Sequence, residues 1–192
     1  MTDTTYPTDQ KKTHGGYRNL RSFQTATLIY DLTVEFCDRY MTYPTNKSYR
    51  TYDQMVQAAR SGRQNIAEGS QASAVSKKSE IKLVGVARAS LEELLIDYED
   101  FLRQRSLPLW SKGCPQAQTI RNLTYKTDKT YTTYQTYLKN PESAANCLIC
   151  LIHQANYLLD KQLQALEKAF ITQGGYSENL FKARLKKRES DR

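Results

Sequence analysis

Four stretches of this chain place an apolar residue at every third or fourth position, a spacing that suits an amphipathic α-helix and little else. Leu20, Phe23, Thr27, Tyr30, Val34, Cys37 and Met41 follow it in the first stretch, and Tyr52, Met55, Ala59, Gly62 and Ile66 in the second. Leu83, Ala87, Leu91, Leu94, Tyr98 and Phe101 carry the third stripe; Leu148, Ile152, Ala155, Leu159, Leu163, Leu166 and Phe170 carry the fourth. No stretch reads convincingly as a strand. Each stripe must be buried against another element, so four of them predict an all-α fold, an antiparallel up-down four-helix bundle.

The punctuation fits four long helices. The first is expected from Tyr17, with Pro44 disfavouring helix at Tyr43. The second is expected over 49–68, closed by Gly69 in a left-handed C′ position. Glycine inside a helix costs about 1 kcal/mol relative to alanine, so Gly62, near Ala58 and Ala59, points to another helix backbone passing close by. The third is expected over about 76–105 with Ser76 or Ser79 as its cap, and the fourth from Pro141, in the first turn, to Gly174-Gly175. Links 42–48 and 69–75 are short, as antiparallel neighbours require. Residues 106–140 form a long connector between helices three and four, interrupted by Pro108, Gly113 and Pro115, with short helices expected at 115–123 and 130–138. The bundle thus occupies 17–173. A polar arm over 1–16 lacks the apolar surface to offset ordering entropy and is expected to be disordered. A basic tail over 174–192 follows, with a short helix expected at 176–189.

The net charge of +8 is unevenly spread: five cations stand against one acid in 107–140, and six against three in 174–192. Solvated charge and attraction to a polyanion both explain such segments. In the connector Tyr125, Lys126, Lys129, Tyr131, Tyr134, Tyr137 and Lys139 interleave rings with cations, the combination used to stack bases and contact phosphates. The spacing of Tyr131, Tyr134 and Leu138 equally suits a short helix packed on the bundle. Lys182, Arg184, Lys186, Lys187 and Arg188 form the second basic cluster. Lys126, Lys129, Lys139, Arg184, Lys186, Lys187 and Arg188 are the candidate phosphate contacts, and Tyr131, Tyr134 and Tyr137 the candidate stacking rings.

Groups suited to catalysis are scarce. The two histidines are His14, in the arm, and His153, beside the core of the fourth helix. Cys147-x-x-Cys150 with His153 resembles half of a metal site, but no second ligand pair follows it, and Cys147, Leu148, Leu151 and Ala155 share one stripe. They read as small core residues, and all four cysteines are expected as free thiols. Gly62 to Ser70 lacks the lysine of a phosphate-binding loop. Glu92, Glu93, Asp97, Glu99 and Asp100 lack the Glu-x-x-His pairs of a di-metal bundle and are expected to pair with Arg88, Arg60 or Arg63. No catalytic residue, metal or cofactor is therefore expected. No stretch approaches the roughly 20 apolar residues of a membrane span, and residues 1–16 lack the apolar core of a secretory signal. The expected location is the cytoplasm.

Gln54-Met-Val-Gln-Ala-Ala-Arg60-Ser-Gly-Arg-Gln-Asn65-Ile-Ala-Glu68-Gly69, followed by Ala87-Arg-Ala-Ser90-Leu91-Glu92-Glu93-Leu94, resembles a bacterial group. It is similar to the four-helix-bundle proteins encoded in intervening sequences of large-subunit ribosomal RNA genes, themselves similar to the accessory variability determinants of diversity-generating retroelements. The resemblance covers residues 17–106 and 143–172. It implies an antiparallel bundle assembled as a homo-pentamer, a basic surface that binds nucleic acid and, in the retroelement branch, a reverse transcriptase partner. The connector and tail resemble the longer "four helix bundle suffix domain" variant. Five copies at +8 each would carry +40 on one particle, which favours a polyanionic partner. Arg60, Asn65, Glu68, Gly69 and Glu92 of the motif are expected to serve structure, in helix register or subunit contacts. The expected function is a non-enzymatic accessory that binds RNA or an RNA–DNA hybrid beside a reverse transcriptase. The rival is a protein-interaction scaffold in which the tyrosine-rich connector grips a partner protein.

Overall fold

A computed structural model describes residues 16–42, 49–123 and 131–191 and is all-helical over them. A 3₁₀ turn at Gly16–Asn19 leads into α1 (Arg21–Tyr40), followed by α2 (Tyr49–Ala72) and α3 (Lys77–Gln104). The connector carries α4 (Pro115–Leu123), α5 (Tyr131–Gln135) and a 3₁₀ turn at Thr136–Lys139. The 33-residue α6 (Pro141–Gln173) and α7 (Tyr176–Ser190) complete the chain. The arm expected to be disordered, save Gly16, and the break at Pro44 lie outside the described residues. No helix among the described residues is long and apolar enough to cross a membrane.

The helix ends follow local chemistry. Ser76 caps α3 by accepting the Ser79 N–H at 3.1 Å, and the Asn140 side chain caps α6 by accepting the Glu142 N–H at 2.8 Å, with Pro141 just inside. Ser106, at φ 55°, ends α3: the Leu107 N–H reaches back to the Leu102 carbonyl at 2.9 Å, the role glycine usually fills. Gly174, at φ 71°, closes α6.

α1 packs on α2, α2 on α3, α3 on α6 and α6 on α1. Gly62 of α2 meets Leu91 and Ala87, while Gly69 meets Leu83 and Glu80, so α2 and α3 run in opposite directions. The pairs Arg88–Asp160 and Lys77–Gln173 give α3 and α6 the same opposed sense. The core between them holds Ile29, Leu32, Phe36, Met55, Ile66, Leu91, Leu94, Tyr98, Leu148, Ile152 and Leu159.

Two expectations are corrected. Gly69 does not end the second helix; it is buried inside α2, which continues to Ala72, and a Cβ there would lie 3.3 Å from Leu83 Cβ. It serves close approach, as Gly62 does, rather than a left-handed turn. In α1 the buried line runs through Ser22, Ala26, Ile29, Thr33 and Phe36; of the expected stripe Cys37 and Met41 are buried, while Phe23, Thr27, Tyr30 and Val34 are half-buried beside the line. Hydroxyls hid that line from an apolar count. Thr33 is buried because its Oγ1 accepts the Tyr98 hydroxyl at 3.0 Å, and Ser22 because it donates to Gln162 at 2.8 Å.

The glycines of α2 and α3 should respond oppositely to alanine. A Cβ at Gly62 would sit 2.7 Å from Leu91 Cδ2 and 2.8 Å from its Cγ, whereas Gly85 has nothing within 4 Å. Gly85→Ala should therefore stabilise by up to about 1 kcal/mol, and Gly62→Ala should destabilise by about 1–3 kcal/mol. Urea unfolding of both variants checks this, and a stabilised Gly62→Ala would disprove the close contact.

Candidate nucleic-acid interface

The connector is built into the body of the protein. Ala117 and Ile120 of α4, with Tyr134 and Leu138, are buried, and α4 and the 3₁₀ turn both pack on α6. Backbone ties hold them: the Leu138 carbonyl accepts from Tyr40 Oη at 2.6 Å and Arg39 Nη1 at 3.1 Å. Asn146, 1% exposed, accepts the Trp110 N–H at 2.8 Å and donates to the Pro108 carbonyl at 2.9 Å. Trp110 Nε1 adds a bond to Glu142 at 3.0 Å.

Tyr134, only 1% exposed, cannot offer a ring to a nucleobase; it is a core residue, and its candidacy for stacking is withdrawn. Tyr137 is half-buried against the core, which raises its phenol pKa through desolvation. Tyr131 opens α5. Lys126 and Lys129 lie outside the described residues. Lys139 is exposed at the start of α6, whereas the tail cations follow its end. At 1.5 Å per residue, 33 helical residues separate these groups by roughly 50 Å. Among the described residues, Lys139 therefore does not share a patch with the α7 cations.

Of the motif residues, Asn65 donates to the Ser61 carbonyl at 2.9 Å and to Ser61 Oγ at 3.1 Å, and that hydroxyl lies 2.9 Å from Ser90 Oγ of α3. Glu92 accepts from Asn156 Nδ2 at 3.0 Å and lies 3.6 Å from Arg88, which binds Asp160 at 2.6 Å. Asn65 and Glu92 thus help fix helix register. Arg60 and Glu68 are exposed and form no ion pair among the described residues. Asn156 and Asp160 escaped sequence reading; their one trace is a polar pair four residues apart.

All four cysteines are free. Cys147 is buried while His153 is exposed, so the two do not face a common ion. Burial raises the Cys147 thiol, and raises that of Cys37 to about 12, which keeps both protonated and poor as nucleophiles or ligands. Among the described residues no group of three His, Cys, Asp or Glu side chains could hold a metal.

The most exposed basic element is α7. None of its residues is buried, and Lys182, Arg184, Lys186, Lys187 and Arg188 all face solvent. Among the described residues only Lys187 of these cations is in an ion pair, with Asp191 at 2.8 Å. Leu180, Phe181 and Leu185 are exposed too, at 48%, 62% and 42%. At 100° per residue Lys182 and Lys186 fall on one side and Arg184 and Arg188 opposite, so the cations ring the helix. The acidic counterpart is the C-terminal half of α3. There Glu93 lines a groove of 690 Å³ between α2 and α3, with Arg50, Asp53, Gln57, Ser61 and Ser90. Asp97, one turn on, is pushed up to about 6 by desolvation first and then by Glu93 and Asp100.

Comparison with known proteins finds nothing similar: no family model, curated protein or solved structure matches the chain.

Two outcomes follow. Asn146→Ala would strand the Trp110 N–H and the Pro108 carbonyl, at a cost of about 1–3 kcal/mol, with loosening read as faster amide exchange at Leu107–Leu123. Asp97 has a folded pKa above its ordinary 3.8, so its contribution to stability is present below about pH 4 and is lost as pH climbs through 6. Asp97→Asn should accordingly raise the melting temperature at pH 7.5, with no gain at pH 3.5; equal melting at both pH values would remove the burial argument.

Proposed function

We propose that this chain is a non-enzymatic, oligomeric nucleic-acid-binding accessory protein, cytoplasmic, with RNA or an RNA–DNA hybrid as its ligand. Its four long helices form an antiparallel up-down four-helix bundle, a reading supported by the opposed pairings of α2 with α3 and of α3 with α6. The observation that carries the functional reading is α7, a 15-residue helix with no buried residue and five solvent-facing cations. Such a helix supplies salt-dependent, largely sequence-independent phosphate contacts. The homo-pentamer and the reverse transcriptase partner rest on the resemblance of the α2 and α3 motifs. A bundle that presents several copies of α7 on one particle would multiply the contacts each tail makes alone.

The experiment is fluorescence anisotropy of the full chain on a structured RNA across a salt series. Affinity should fall steeply with salt, and Arg184→Glu with Lys186→Glu should weaken binding at least tenfold and flatten the slope. Lys139→Glu should matter less, since it lies at the other end of α6 from the α7 cations. Binding indifferent to salt and to both tail substitutions would reject the reading and favour the scaffold alternative, for which the exposed Leu180 and Phe181 provide apolar contacts.

A further inference from the structure

Charge is divided along α3. Its first half carries Lys77, Lys78, Lys82 and Arg88 against the single acid Glu80; from Ala89 to Leu102 it carries Glu92, Glu93, Asp97, Glu99 and Asp100 and no cation. Glu92 is engaged by Asn156 and Arg88, and Asp100 by Arg103 within its own helix. Glu93, Ile96, Asp97 and Asp100 share one outward face, at i, i+3, i+4 and i+7. Ile96 is 54% exposed at its centre among the described residues. Burial first, and then the neighbouring Glu93 and Asp100, push the Asp97 carboxyl up, so like charges stand close together on this face.

α7 is the complement. It has cations and exposed Leu180, Phe181 and Leu185, and it buries none of its residues on its own chain. Its own α3 cannot supply the acidic face. α6 ends beside the start of α3, where Gln173 accepts from Lys77 at 2.8 Å. From that level Ile96 and Asp100 lie roughly 28 and 35 Å along α3, at 1.5 Å per residue. A tail folded back from Gly174 brings Leu180 through Leu185 only roughly 9–17 Å along. That places its cations against the basic half of α3, where they are repelled. A second copy has no such limit: its acidic face is free to meet the tail, and the two surfaces lie toward opposite ends of the molecule.

We propose that α7 of one copy docks on the Glu93–Ile96–Asp97–Asp100 face of a second copy, Leu180, Phe181 and Leu185 covering Ile96 and the cations of α7 meeting the acids. The contact is head-to-tail, so each copy offers one donor and one acceptor and assembly proceeds to a ring or a filament. This inference does not rest on the nucleic-acid reading. Where both hold, a polyanion and the acidic face compete for the same cations, and nucleic acid releases the tail.

Two charge-reversed forms of the full chain test it: a face variant, Glu93→Lys with Asp100→Lys, and a tail variant, Lys187→Glu with Arg188→Glu. All four positions are exposed or half-exposed, and far-UV circular dichroism with thermal melting verifies that both variants fold. Nuclease-treated protein is followed by sedimentation velocity at low salt. The wild type should associate, and each variant alone should associate at least roughly tenfold more weakly. An equimolar mixture should recover association in alternating order, because the basic face of one variant takes the acidic tail of the other. A mixture that stays dissociated, a monomeric wild type, or a tail variant that associates like wild type would each overturn the proposal. Loss of RNA binding by the tail variant together with a dissociated mixture would leave the nucleic-acid reading standing and remove this one.

Discussion

The first turns of α6 have no outward face. Ala144 through Ile149 are six consecutive buried residues, whereas a helix on the rim of a helical protein keeps about half its circumference in water. Two sides of this segment are covered by α1 and α3, and the remainder can be covered only by chain that arrives from elsewhere. The connector does this with Ala117 and Ile120 of α4 and Leu138 of the 3₁₀ turn. Leaving three such side chains in water would cost about 1.5–3 kcal/mol each, so the connector's order and the stability of α6 are linked. The buried Asn146 fixes the path, because its amide satisfies two backbone groups of the connector that would otherwise be stranded. A tyrosine-rich, basic insertion that looks available for ligands is in large part structural.

Apolar burial alone would leave the long helices free to slide by a turn, and polar pairs inside the packing remove that freedom. Tyr98 with Thr33 ties α3 to α1, Ser61 with Ser90 ties α2 to α3, and Arg88 with Asp160 ties α3 to α6. Each pair is worth little net energy, yet shifting any of these helices by a turn leaves a partly desolvated group without its partner. The small residues Gly62 and Gly69 act in the same direction, because only they admit Leu91 and Leu83 at the distances observed.

Helix number, the long connector, the α4 boundaries and the Pro141 start were legible in the sequence because they depend on local chemistry: periodicity, prolines and caps. The face of α1 was not, since Thr33 and Ser22 enter the interior only through partners on α3 and α6, which no local pattern displays. Gly69 was misjudged because a glycine that ends a helix and one that admits a neighbouring helix look the same without the neighbour. Among the candidate site residues, Tyr134 shows the same difficulty: a ring beside cations suits base stacking and core packing equally, and the fold chose the core. The tail was the easiest to place, as none of its residues is buried against the rest of the described chain.

That isolation has an energetic consequence. Isolated helices of fewer than about 12–15 residues are marginal in water, and α7, with 15, has little beyond local help. Glu178 accepts the Gly175 N–H at 3.2 Å, and Lys187 pairs with Asp191 four residues on. Such contacts contribute a few tenths of a kcal/mol each, and nothing is buried to add to them. Whatever surface receives α7 therefore also supplies much of its helical order, so that folding of the tail and docking of the tail are coupled. Coupling of this kind lowers affinity per contact and leaves the tail responsive to competing surfaces. On the two proposals made above, a basic helix joined to the body through Gly174-Gly175 would exchange between an acidic protein face and a polyanion without any rearrangement of the helices behind it.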